Sequence, residues 1–178
     1  MKYAEELTKS MDFLAKDSRS IFLGQAVAYP GTAMTNTLKN VSKNKLYELP
    51  VAEEMQMGIT TGLAMNNLIP ISIFPRWNFL LLGINQLVNH LDKISIMSNG
   101  KFTTKAIIRT SIGSQRPLHP QQQHVGDFSK PIQDMCKNVE VIILEEPAQI
   151  FPSYEKSLNR QDGKSTILVE YGDYYQEK

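Results

Sequence analysis

"LPVAEEMQMGITTGLAMNNLIPISIF", Leu49 to Phe74, holds the two periods on which the fold turns. Its first part reads as a helix: Pro50 suits a helix start, and Glu53 and Glu54 put acids near the positive end of the helix dipole. Its last part, "IPISIF", is a short apolar run that predicts a strand buried on both faces. Helices that alternate with such strands build a parallel sheet covered by helices. Gly58 and Gly62 share one face of the helix. Each costs ~1 kcal/mol relative to alanine, which points to close approach by another backbone or subunit.

The alternation continues outward in both directions. Toward the amino end, "YAEELTKSMDFLAKD" places Ala4, Leu7, Met11, Leu14 and Ala15 on one helical face, "SIFLGQAVAY" is a strand ending at Gly24, "TAMTNTLKNVSKN" is a weak helix and "LYEL" a short strand. Toward the carboxyl end, "NFLLLGINQLVNHLDKISIMSNG" predicts one long helix closed by Asn99-Gly100. "KAIIRTS", "VEVIIL" and "STILVEY" read as strands, "FSKPIQDMCKN" and "EPAQIFPSYEKSLNR" as helices, and the tail "GDYYQEK" as exposed. The expected architecture is α/β: a doubly wound, mostly parallel sheet of about six strands with helices on both faces. Ligands bind such sheets beyond the carboxyl ends of the strands. The loops expected there carry "GQAVAYPGT", "ELPVAEE", "FPRWN", "RTSIGSQRPLHPQQQH" and "EEPAQ".

At 178 residues the chain fits one domain, and a formal net charge of +1 with scattered basic residues gives no field that would favour nucleic acid or an anionic membrane. One cysteine, Cys136, excludes an internal disulfide and multi-cysteine metal sites, and reads as a buried small hydrophobe. The acidic amino terminus does not resemble an export signal, and the apolar run Asn78 to Ile84 is far short of the ~20 residues of a membrane helix. A soluble, cytoplasmic protein is expected.

Walker, dinucleotide, nucleophile-elbow and H-E-x-x-H motifs are all missing. Taken alone, Glu53 and Glu54 are either first-turn acids or a functional pair. His119 and His124 share a long loop with three glutamines and are either solvated or functional; without a third ligand at metal spacing they do not make a zinc site. Trp77 and Phe79 are core aromatics or a stacking face for a planar ligand.

Taken together, these features resemble the pyrimidine-binding domain of thiamine diphosphate enzymes, as found in the β chains of 2-oxo acid dehydrogenases and the central domain of transketolases. "LPVAEEMQMGITTGLAMNNLIPISIF" is similar to the family's Pro-x-x-Glu helix, with glycines five and nine residues beyond the acid, then a proline and a strand. That count selects Glu53. "NFLLLGINQLVNHLDKISIMSNGKF" resembles the family's long helix, and "QQQHVGDF" its histidine-bearing loop. The likeness runs from about Tyr3 to Tyr171 and implies the thiamine diphosphate-binding fold.

The resemblance assigns the residues as follows. Glu53 bonds the aminopyrimidine of the cofactor and activates it, Phe79 stacks on the ring, Val51 and Pro75 line its pocket, with Trp77 a second candidate for stacking. His124 faces the reacting carbon or the substrate, with His119 the other histidine of that loop. Where those β chains carry Gly-Glu-x-Val, this chain has Gly24-Gln25-Ala26-Val27.

Residues 1–178 are then a single pyrimidine-binding domain, without the carboxyl-terminal domain of the β chains and without the Gly-Asp-Gly run by which the family holds magnesium and diphosphate. The resemblance therefore implies a split enzyme that makes or breaks a carbon–carbon bond beside a carbonyl. A separate diphosphate-binding subunit would carry the Gly-Asp-Gly motif and the magnesium, in a heterotetramer or around a homodimer core. The alternative from another class is a non-catalytic regulatory or assembly subunit that keeps the fold.

Overall fold

The structure is a computed structural model that describes residues 2–177. In chain order its strands are β1 (Ser20–Gly24), β2 (Leu46–Glu48), β3 (Ile69–Ile73), β4 (Ile107–Ile112), β5 (Val139–Ile143) and β6 (Ser165–Tyr171). The helices are α1 (Tyr3–Leu14), α2 (Ala33–Asn36), α3 (Glu53–Met65), α4 (Trp77–Leu80), α5 (Ile94–Met97), α6 (Ser129–Met135), α7 (Pro147–Asn159) and α8 (Tyr174–Glu177). The six strands form one sheet in the order β2-β1-β3-β4-β6-β5, every pair parallel. This is the doubly wound α/β architecture expected, with helices on both faces.

Both faces of the sheet are apolar because its central strands alternate between two cores. Ile69, Ile71 and Ile73 of β3 with Ile107 and Leu168 pack under Leu7, Met11 and Leu14 of α1 and Ile150 and Tyr154 of α7. Ile108, Ile167 and Val169 face the opposite way, onto Met57 and Ala64 of α3, Ile132 of α6 and the aromatic rings of Phe74 and Trp77. Each fully buried aliphatic side chain contributes about 1.5–3 kcal/mol, so a strand such as β3, buried along all five residues, anchors the domain.

Three expectations need correction. The long helix over 78–100 is broken into α4, a 3-10 turn at Leu81–Gly83, a π-helical stretch at Gln86–Leu91 and α5. In the π stretch the amide of Asp92 reaches back five residues to Leu87, 3.0 Å away. This turns the Asp92 carboxylate inward, where it caps the amides of Lys137 and Asn138 at 2.8 and 2.6 Å. The weak helix over 32–44 shrinks to the single turn α2, because the Thr37 hydroxyl donates back to the carbonyl of Met34 and the chain leaves the helix there. The tail is half-buried over residues 172–175 and exposed at Gln176: Tyr174 packs edge-on against Tyr3, ring centroids 5.6 Å apart, and the Tyr175 hydroxyl bonds Glu170. Among the described residues no helix is long and apolar enough to cross a membrane.

Candidate functional site

From β1 the chain moves outward to β2, then crosses to the other side of β1 to form β3. The connections of β1 and β3 thus diverge, leaving a crevice at their carboxyl ends where doubly wound folds take ligands. Gly24 closes β1 at φ +147, and a side chain there would strike the carbonyl oxygen of Ile73. The loop that follows doubles back with Ala26 at φ 52, a conformation uncommon outside glycine. Two side chains hold it: the Glu48 carboxylate, at the end of β2, accepts the amides of Ala26, Val27 and Ala28 at 2.6, 2.8 and 2.8 Å, and the Thr35 hydroxyl donates to the Ala26 carbonyl. So held, the loop presents Gln25, whose Nε2 donates to Oε1 of Glu53 at 3.0 Å.

Glu53 is the first residue of α3 and is 3% exposed. Gln25 is its one side-chain donor among the described residues, leaving Oε2 free to take another. The helix is fixed beneath it by Gln56, whose Nε2 bonds the Ser72 hydroxyl and the Ile73 carbonyl, each at 3.0 Å. From the side, Gly83 abuts its first turn: a Cβ at Gly83 would lie 3.1 Å from the Glu53 carbonyl oxygen and 3.2 Å from Cβ of Met57. Glu54, by contrast, is exposed and accepts from Gln86 at 2.7 Å. The two adjacent acids therefore differ in kind, one withdrawn and one solvated.

The segment after β3 supplies the rest. Phe79 of α4 is half-buried and meets the His124 ring at 5.5 Å between centroids, tilted by 52°. Nδ1 of His124 is buried without a hydrogen-bond partner, and its carbonyl accepts Nη1 of Arg76 at 3.2 Å. Pro75 is half-buried, its carbonyl taken by the Ser111 hydroxyl at 2.7 Å. Val51 stands two residues before the acid, 79% exposed. The structure thus sets Glu53, Pro75, Phe79 and His124 in the segments that follow the carboxyl ends of β2, β3 and β4, with the rings of Phe79 and His124 in contact.

It does not gather the others. Trp77 is 0% exposed inside the core beside Met57 and Leu87, so its ring has no surface to offer a planar ligand. His119 is exposed, and its Nδ1 accepts the amide of Gln121. Among the described residues, nothing outside the helix's own nearby backbone comes within 4 Å of a Cβ built on Gly58 or Gly62, and within this chain the close approach to α3 is made by Gly83. Sequence reasoning missed Arg76, although it is the one charge in "FPRWN", and missed Glu48, whose role depends on a contact 20 to 22 residues away.

A sequence profile of the family "transketolase, pyrimidine binding domain" matches residues 1–176. The chain belongs to this family. It is 29% identical over 133 residues to the mitochondrial pyruvate dehydrogenase E1 component subunit beta of Ascaris suum, a match covering 73% of this chain and 36% of that protein. It is 25% identical over 117 residues to the 2-oxoisovalerate dehydrogenase subunit beta of Bacillus subtilis, covering 64% and 36% respectively. The chain spans about a third of the length of these relatives. Among solved structures, a split gene transketolase described as an inactive beta4 tetramer shares the fold, with a TM-score of 0.72 over 94% of this chain and 50% of that one at 13% identity.

The family implies thiamine diphosphate. The residues present fit its aminopyrimidine end: a withdrawn carboxylate with one oxygen free among the described residues, a half-buried aromatic ring, and an unpartnered buried imidazole nitrogen beside that ring. Among the described residues no cluster of three or more His, Cys, Asp or Glu could hold a metal ion.

Proposed function

We propose that this chain is the pyrimidine-binding subunit of a split thiamine diphosphate enzyme that makes or breaks a carbon–carbon bond next to a carbonyl. It would act on a 2-oxo acid or a ketose. The observation that carries this reading is Glu53, withdrawn from solvent with Gln25 on one oxygen and, among the described residues, no partner on the other. The bound cofactor supplies an acidic thiazolium carbon that, once deprotonated, adds to a carbonyl.

The chain's own part is positional and protonic. Glu53 would hold a proton at Oε2 for a ring nitrogen of the cofactor, with Gln25 fixing its other oxygen. Phe79 would stack on the ring, Pro75 and Val51 would line its pocket, and His124 would face the reacting carbon or the substrate. Magnesium and the diphosphate belong to a second subunit carrying a Gly-Asp-Gly run. The open face of α3 bearing Gly58 and Gly62 meets that subunit or a second copy, in a heterotetramer or around a homodimer core. The single unpaired cysteine supports a reducing, cytoplasmic setting.

Calorimetry with thiamine diphosphate and magnesium tests the split. This chain alone should bind weakly or not at all, and the complex purified with its natural partner should bind tightly; tight binding by the isolated chain overturns the reading. In that complex, Glu53→Gln should slow exchange of the thiazolium proton by about 10²–10⁴-fold, as read by NMR, with assembly intact. Exchange at the wild-type rate would remove Glu53 from the chemistry.

A further inference from the structure

Directly after β3, Arg76 leaves the sheet beside the candidate site. Its guanidinium is half-buried, and that desolvation pulls its pKa below the usual value, offset in part by the charge of Asp173. Asp173 does not pair with it, because its carboxylate accepts the amides of Gln115 and Arg116 at 2.9 and 3.1 Å. Among the described residues no carboxylate lies within ion-pair distance of Arg76, and its bond to the His124 carbonyl uses one of five N–H donors.

The guanidinium borders a cavity of about 270 Å³ over the carboxyl ends of β3, β4 and β6. Among the described residues Arg76 is the one charged residue in its lining. Most of the rest are small or hydroxyl-bearing, among them Thr32, Ser111, Ser114 and Gly113. A cavity of this size is at the small end for ligand sites and suits a compact group rather than a nucleotide. A partly desolvated guanidinium with donors to spare favours an oxyanion, which it can grip through two parallel N–H bonds.

We infer that the cavity around Arg76 is an oxyanion subsite that takes the charged end of the substrate, as a carboxylate or a phosphate ester, beside the His124 loop. This deepens the proposed function and rests on it for the word substrate; the binding site itself does not depend on it. Arg76 is here a specificity-determining residue, because its single charge selects anionic substrates over neutral ones of the same shape.

The test is an NMR titration of the full chain with pyruvate and, separately, with inorganic phosphate at constant ionic strength. The signals followed are the amides of Gly113 and Ser114 and the side-chain Nε of Arg76. At least one anion should saturate these signals: pyruvate if the site takes carboxylates, phosphate if it takes phosphate esters. Arg76→Met should weaken that binding at least about tenfold, and Arg76→Lys should recover part of it. Ser114→Val narrows the cavity at another lining residue with the guanidinium in place, and should also weaken binding. Failure of both anions to saturate, or Arg76→Met binding as tightly as wild type, overturns the inference. Neither result bears on thiazolium exchange in Glu53→Gln, so the two readings fail separately.

Discussion

Glu170 and Glu53 are both withdrawn from solvent, at 0% and 3% exposure, yet the chain surrounds them in opposite ways. Glu170 of β6 has both oxygens engaged. Arg109 of β4 grips it with Nε at 2.7 Å and Nη2 at 3.0 Å, Tyr154 donates at 2.6 Å, and Tyr175 donates from the tail. Burial, and after it the Glu170 charge, pushes both tyrosine hydroxyls well above their usual pKa, so they remain donors. Among the described residues Glu53 has one side-chain donor and one idle oxygen. A carboxylate with every acceptor site taken is part of the frame, whereas one left half-satisfied in a crevice is available to something outside the chain.

The largest effect that separates the two should come from Arg109. Arg109→Leu strands the Glu170 carboxylate in the core, and urea unfolding should show a loss of about 3–5 kcal/mol. Glu53→Gln keeps shape and the Gln25 contact at the rim, so its loss should stay below about 1 kcal/mol. Equal losses would erase the distinction. Tyr175→Phe removes a single donor from Glu170 and should cost about 1.5–3 kcal/mol while releasing the tail, seen as faster amide exchange over residues 172–176.

The smallest effect concerns a group that neither carboxylate engages. Desolvation first, then the charge of Asp92, pushes the Cys136 thiol up from 9.0 to about 11. Folding thus favours the neutral thiol. That stability is intact below the unfolded value of 9.0 and is lost as pH rises through about 11. At pH 8 the folded chain should react with iodoacetamide at least about tenfold more slowly than the unfolded chain. Equal rates would show the thiol to be open to solvent.

The sheet was legible because its signals are local. "IPISIF", "AIIRTS" and "STILVEY" are short apolar runs that have no other stable place than a buried strand, and the acid of Pro-Val-Ala-Glu sits where a helix begins. The broken segment after Trp77 was not legible, since apolar spacing runs on through Gly83 and nothing in "NQLVNHLD" marks a π stretch. Trp77 and Phe79 could not be told apart by type; only the packed structure shows the first sealed in the core and the second half-buried against the His124 ring. The Arg109–Glu170 pair joins strands 61 residues apart, and the Gln25–Glu53 contact spans 28; spacing along the chain encodes neither.

The clamp that Glu48 places on three successive amides has a wider consequence. It hangs the one side-chain donor to the candidate proton carrier among the described residues from an edge strand of the sheet, three residues long and bordered on one side alone. A neighbour that grips or peels away this rim would retune the acid from a distance without entering its crevice.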